Sequence, residues 1–356
     1  MTTGFTYEAL PMRVRFASGS VRAIAQEMDH LGVRRALILA TPEQRDLAEE
    51  VAASLGGRAA GIFAEARMHV PVEVAQRAGD VASRLDADGC IAVGGGSTVG
   101  LGKAIALNSG LPIIAVPTTY AGSEMTPIWG LTEAGAKKTG RDRRVLPASV
   151  VYDPDLTATL PVGLSVTSAM NAMAHAVEAL YAPDASPVVS LMAEEGVRAL
   201  AWAIPGIVTD PTARDARAAA LYGAWLCGAC LGATTMSLHH KICHVLGGTL
   251  DLPHSPSHTV VLPHVLAYNQ SHAPQARAAL ARALGGGEDP AGRLGELIRD
   301  WDAPTSLREL GMKDADIATV VAQVLAQPYA NPRAVTEEGL TTLLTRAWSG
   351  QSPTAG

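Results

Sequence analysis

The chain has 356 residues, 48% of them hydrophobic and 17% charged, which suits a folded protein with well-buried interiors and exceeds one core of ordinary size. Its formal net charge is −6 and it holds no basic run, which argues against nucleic acid as a partner. The N-terminus lacks a signal-peptide pattern, no apolar stretch approaches about 18 residues, and four scattered cysteines make no disulfide framework, so a cytoplasmic protein is expected.

The first 150 residues alternate short apolar runs with helical patterns. RRALILAT (34–41) reads as a buried strand ending at Thr41–Pro42, followed by a helix through EQRDLAEEVAASLG. AAGIFAEA gives a second strand, VEVAQRAGDVASRLDA a helix, GCIAVGGG a third strand and LPIIAVPTT a fourth. This rhythm predicts an open parallel sheet with helices on both faces, and in such sheets ligands bind beyond the carboxyl ends of the strands. From about Leu156 long helical patterns take over, predicting an α/β dinucleotide-binding domain over 1–155 and an all-helical domain over 156–356. Cys227 and Cys230 form a CxxC, but inside an apolar helical run, where they read as small core residues. The tail SGQSPTAG reads as disordered.

Gly94-Gly95-Gly96-Ser97 follows a strand and precedes a helix opened by Thr98. Glycines let a backbone approach a pyrophosphate, and a helix N-terminus supplies free N–H groups. It is neither GxGxxG nor a Walker loop. The next strand ends in PTTYAGSEMTP, whose Thr118, Thr119 and Ser123 are placed to reach a nucleotide or substrate, with turn-forming hydroxyls as the alternative. After the first strand stands Thr41 rather than a carboxylate, with Arg45 nearby, so both NADH and NADPH are acceptable there. Lys103 reads either as a phosphate contact or as a solvated helix lysine.

Residues 238–258, LHHKICHVLGGTLDLPHSPSH, hold five of the chain's ten histidines. His240 and His244 share a helix face one turn apart, Gly247–Gly248 are expected to end that helix, and Pro253 to set a turn presenting His254. Asn171 and His175 repeat the i, i+4 spacing on an earlier helix, so two helices offer polar pairs to one pocket. His239 and His258 read as mouth-lining or exposed, Cys243 as packed aside, and Arg143–Arg144 as part of a solvated loop able to attract an anion.

In order, the GGGS loop with Lys103, PTTYAGSE, YDP, NAMAHAVEA, HHKICHVLGG and the segment 251–258 resemble the group III iron-containing alcohol dehydrogenases along almost the whole chain. The resemblance implies a Rossmann-like domain and a helical domain with the active site in the cleft between, and a homodimer. It also implies a metal held by an Asp and three His, here Asn171, His175, His240 and His254, with His244 as the nearby acid/base. Asn171 departs from that pattern. Replacing a carboxylate by a neutral amide removes on the order of several kcal/mol of attraction for a divalent ion. Gly100 departs too, standing where the family has an Asp after GGGSxx.

With HHKICH, TTYAGSE and the N-terminal FxYxxxxxRVRF, these departures resemble one branch of the family, the reductases of maleylacetate. That resemblance implies NADH or NADPH as cofactor, no metal requirement, and reduction of a conjugated C=C bond in a dianion during aromatic-compound degradation. His244 is then the proton donor, and His175, His240 and His254, with Lys241 close by, supply donors and positive charge. Two alternatives stand beside it. One is a metal-dependent dehydrogenase of small alcohols or aldehydes, and the other a non-catalytic nucleotide-binding protein.

Overall fold

In the computed structural model, which describes residues 5–10, 12–133, 136–327 and 329–354, the four expected strands sit side by side in a six-stranded sheet. The strands in chain order are β1 (Arg13–Phe16), β2 (Ala36–Leu39), β3 (Ala59–Phe63), β4 (Gly89–Gly94), β5 (Ile113–Pro117), β6 (Ile128–Glu133), β7 (Ala136–Arg141) and β8 (Ser149–Tyr152). The sheet order is β1-β8-β5-β4-β2-β3, with every pair parallel. Helices α1 (Ile24–Leu31), α2 (Arg45–Leu55), α3 (Val72–Arg84) and α4 (Gly96–Ser109) connect them.

Burial on both faces explains why β2, β4 and β5 are continuous apolar runs. In β2, Leu37 and Leu39 enter one core with Cys90, Leu101 and Ile105, while Ala36 and Ile38 enter the other with Ile24, Ile91 and Val116. The two sheet strands not expected from sequence are the edge strand β1 and its neighbour β8. Arg13 and Arg15 of β1 donate to the buried Glu27 carboxylate of α1 at 2.9 and 2.7 Å, so a polar RVRF is tolerated there. The segment expected as a solvated loop instead forms an antiparallel hairpin, with Trp129 of β6 opposite Gly140 of β7. A Cβ at Gly140 would sit 2.6 Å from the Trp129 ring, so only glycine fits that partner.

The chain runs from β2 outward to β3, then back across to β4 on the other side of β2. The sheet therefore changes direction between β2 and β4, where open α/β sheets form a ligand crevice. The loops leaving those two strands begin at Ala40–Thr41 and at Gly95.

The second unit is all helical: α5 (Val162–Ala179), α6 (Pro187–Thr209), α7 (Arg214–Ala233), α8 (Leu238–Leu250), α9 (His254–Asn269), α10 (Pro274–Ala283), α11 (Pro290–Asp300), α12 (Ile317–Leu325) and α13 (Glu337–Ser349). By contacts the chain divides into Ala9–Leu160 and Pro161–Gly356 with Met1–Glu8. Helices α6 and α7 approach closely at Gly196 and Gly223, where a Cβ on Gly196 would lie 2.8 Å from Cys227 Sγ. Cys227 and Cys230 are free, buried thiols pushed up by burial, and serve that packing.

Three local expectations need correction. Gly247 and Gly248 lie within α8, which continues to Leu250 and ends at Asp251 in a left-handed conformation, φ 52°. Pro253 opens a full helix, α9, despite Pro263 in its interior. The tail is partly held, since Gln351 N donates to Arg346 O and Arg346 Nη2 to Ser352 O; residues 355–356 lie outside the described residues. Among the described residues no single helix is long and apolar enough to cross a membrane.

Candidate active site

Helix α5 is buried from Ser165 through Ala179 and carries Asn171, His175 and Glu178 at i, i+4 and i+7, hence on one face. Glu178 is the only charged residue in the apolar run 165–182, and it was not singled out from sequence. Its carboxylate meets the N-terminus of α8, accepting from Ser237 N at 2.8 Å, His239 N at 2.7 Å and His240 N at 3.5 Å. Ser237 makes no side-chain cap of its own, so a carboxylate from another helix satisfies the free N–H groups and complements the helix dipole. The same carboxylate lies 2.7 Å from His240 Nδ1.

Burial alone would raise the Glu178 pKa, but the His240 hydrogen bond, the charges of His240 and His239 and the Ser237 amide leave it lowered. An ionised carboxylate only accepts, so Nδ1 of His240 carries the proton and Nε2 is the atom left to the site. That Nε2 is buried without a partner, as are Asn171 Oδ1 and His175 Nδ1. The His175 and His240 rings stack with centroids 5.1 Å apart.

Around this pair the remaining histidines close in. His240 lies 6.2 Å from His244, 5.4 Å from His239 and 5.1 Å from His258, and His254 lies 4.4 Å from His258, all between ring centroids. His244 and His254 are exposed and Lys241 is half-buried. His239 and His258, expected at the mouth or surface, are fully buried, because α8 and α9 turn those faces toward each other. Burial, reinforced by neighbouring histidines, pulls His175 and His258 well below the usual imidazole value and, despite Glu178, His239 to about 3. Cys243 is packed in the apolar core with its Sγ 3.4 Å from His239 Nε2.

The iron ligand set implied by the resemblance fits poorly. Position 171 offers a neutral amide, and among the described residues the donor atoms of His175, His240 and His254 do not gather within 4.8 Å of one another.

At the carboxyl edge of the sheet, Gly94 has φ +152°, and a Cβ there would strike Thr98 Oγ1 and Gln44 Oε1. Thr98 is buried beneath the loop, and Thr118 is buried with its Oγ1 accepting from Gln44 Nε2 at 2.5 Å. Thr41, Ser97, Thr119 and Ser123 keep partial exposure around Gly94, Gly95 and Gly96. A Cβ at Gly100 would lie 2.8 Å from Val70, so the missing acid is matched by packing that leaves it no room.

Lys103 is neither a phosphate contact nor solvated. Its buried Nζ donates to Ser123 O at 2.7 Å, Thr126 Oγ1 at 2.9 Å and Ile128 O at 2.8 Å. Arg144 is tied to Asp142, its Nη2 2.7 Å from Oδ2, rather than standing ready for an anion.

A parallel sheet with a glycine loop at its direction change, and a helical unit carrying clustered histidines, define a two-unit dehydrogenase architecture. The chain belongs to the iron-containing alcohol dehydrogenase family: residues 11–154 match the model for "Iron-containing alcohol dehydrogenase" and residues 165–348 that for the "Fe-containing alcohol dehydrogenase family, C-terminal". Within it, the chain is 56% identical over 349 residues to the maleylacetate reductase of Sphingobium indicum, covering 98% of this chain and 99% of that one. It is 53% identical over 349 residues to the maleylacetate reductase of Burkholderia cepacia, with the same coverage. The crystal structure of maleylacetate reductase from Rhizobium sp. strain MTP-10005 superposes with a TM-score of 0.96 at 48% identity, covering 99% of this chain and 100% of that chain.

Proposed function

We infer that this chain carries maleylacetate reductase activity: hydride passes from NADH or NADPH to the C=C bond of maleylacetate and a proton follows, giving 3-oxoadipate and NAD(P)+. The observation that carries this reading is the 56% identity to a maleylacetate reductase over 98% of the chain. The site chemistry agrees with it. Hydride addition to the conjugated alkene pushes charge onto the ketone oxygen, and the collapse of that enolate requires one proton at carbon.

In this reading His175, His240 and His254, with Lys241, receive the carboxylates and the developing enolate, and His244 donates the proton. Asn171 becomes a neutral hydrogen-bonding neighbour, and no metal takes part, because the dianion itself brings the charge that a metal-binding carboxylate would have matched. The loops with Thr41, Gly94, Gly95, Gly96, Ser97, Thr98, Thr118, Thr119 and Ser123 hold the nicotinamide cofactor. Arg45, only loosely paired with Glu49 at 3.9 Å, accommodates a 2′-phosphate. A cytoplasmic homodimer working without nucleic acid or membrane completes the reading.

The test is NADH oxidation with fresh maleylacetate, with and without a strong chelator. Rapid turnover that ignores the chelator is expected. Activity on simple alcohols that dies on chelation would instead establish the metal-dependent dehydrogenase for which the family is named. His244→Ala should lower kcat at least ~100-fold; near-normal kcat would remove His244 from the donor role.

A further inference from the structure

Three side chains beside the proposed reaction centre have no part in that reaction. His239 and Cys243 stand one turn apart on α8, and His258 faces them from α9. They are 0%, 2% and 0% exposed, and one donor atom of each lies within 4.8 Å of the others. Both nitrogens of His258 and Nδ1 of His239 lack hydrogen-bond partners. Leaving several buried polar atoms unpaired is costly, and a well-packed helix pair does not keep them without a ligand to satisfy them.

The donor chemistry identifies that ligand. Two imidazoles and a thiol suit a borderline-soft ion, and donors 2.0–2.3 Å from a tetrahedral zinc stand about 3.5 Å apart. Cys243 Sγ and His239 Nε2 are 3.4 Å apart. Glu178 adds a carboxylate beside the group through the backbone N–H of His239. The thiol would release its proton on binding, so Zn²⁺, one thiolate and one neighbouring carboxylate leave no net charge to bury.

We propose that His239, Cys243 and His258 form a buried binding site for one Zn²⁺ ion, separate from the Asn171, His175, His240 and His254 set. Its fourth position falls to water. An ion sealed in this way exchanges slowly, so brief chelation leaves it in place, and the chelator assay of turnover tests a different question.

The experiment uses the full chain produced in minimal medium with Co²⁺ supplied in place of Zn²⁺, read by metal content and absorption spectrum. About one Co²⁺ per chain and a near-ultraviolet sulfur-to-cobalt charge-transfer band are expected. Cys243→Ser should lose the band and His254→Ala should keep it. Absence of cobalt from the unmodified chain, or bound cobalt with no sulfur band, overturns the proposal, as does loss of the band in His254→Ala alone. The unmodified chain's spectrum decides the matter even if Cys243→Ser does not fold, and His258→Gln, which should also lose the band, supplies a second variant.

Discussion

Two buried polar groups in this molecule are built on opposite plans. In the α/β unit, Lys103 is 1% exposed and its ammonium donates to three oxygens of the segment 123–128, while nearby Glu124 accepts from Tyr152 Oη at 2.7 Å. In the helical unit, Asn171, His175, His239, His240 and His258 keep six buried atoms unpaired. A buried group with all its partners holds the fold together, whereas one left unpaired at a cost waits for a ligand. Glu178 belongs to both plans, because it is fully paired and its pairing leaves His240 Nε2 unpaired.

The largest effect should therefore come from Glu178. Glu178→Ala strips acceptors from three amide groups and His240 Nδ1, and should cost about 3–5 kcal/mol in urea unfolding together with most turnover. Glu178→Gln keeps the shape but brings an NH₂ that can donate to Nδ1, moving the ring proton to Nε2. It should stay folded yet lower kcat by at least ~10-fold, with the altered His240 tautomer visible in its ¹⁵N shifts. A Glu178→Gln enzyme with normal kcat would make Glu178 purely a helix cap and blur the contrast. Lys103→Met comes next, at about 2–3 kcal/mol of stability, since it leaves three oxygens without their charged donor. If it instead proved neutral, the three contacts of Lys103 would not be what fixes the segment after β5.

The parts of this fold visible in the sequence are those where local pattern and burial coincide. Strands β2, β4 and β5 are covered on both faces and so are unbroken apolar runs. Edge strand β1 is hidden because its outward residues are arginines, neutralised by Glu27 more than ten positions away. Helix α13 was announced only by Thr336, whose hydroxyl caps Gly339 N, and by two glutamates in the first turn. At the site, helical spacing brought His175, His240 and Asn171 into view, but spacing says which residues share a face, not what covers that face. His239 and His258 were misplaced for that reason. Glu178 was readable, as a lone charge in a buried helix one turn beyond His175.

His264 on α9 sharpens the contrast more gently, as a buried imidazole away from the cluster. Burial, then the charge of Arg346, lowers its pKa to about 4 from the ordinary 6.5. The folded state thus stays neutral where the unfolded chain takes up a proton, so this histidine's contribution is intact above pH 6.5 and is lost as pH falls toward 4. The slope reaches about 1.4 kcal/mol per pH unit in that window. His264→Asn should flatten the acid side of a urea-midpoint profile by about one proton; an unchanged profile would place the acid sensitivity elsewhere.

The smallest effect belongs to Arg144. Like Lys103 it is a paired cation, but its side chain is 59% exposed and its partner Asp142 is only two residues away. Such a pair forms locally, so it ties together no distant parts of the chain, and solvent screens it. Arg144→Ala should shift stability by no more than about 0.5 kcal/mol, an order of magnitude below the Glu178→Ala loss. Because Asp142 already cancels most of its charge, kcat/KM for the dianionic substrate should change less than about twofold even at low ionic strength. A larger, salt-sensitive fall would mean that Arg144 leaves Asp142 to guide the anion, and an exposed pair would then matter more than burial alone allows.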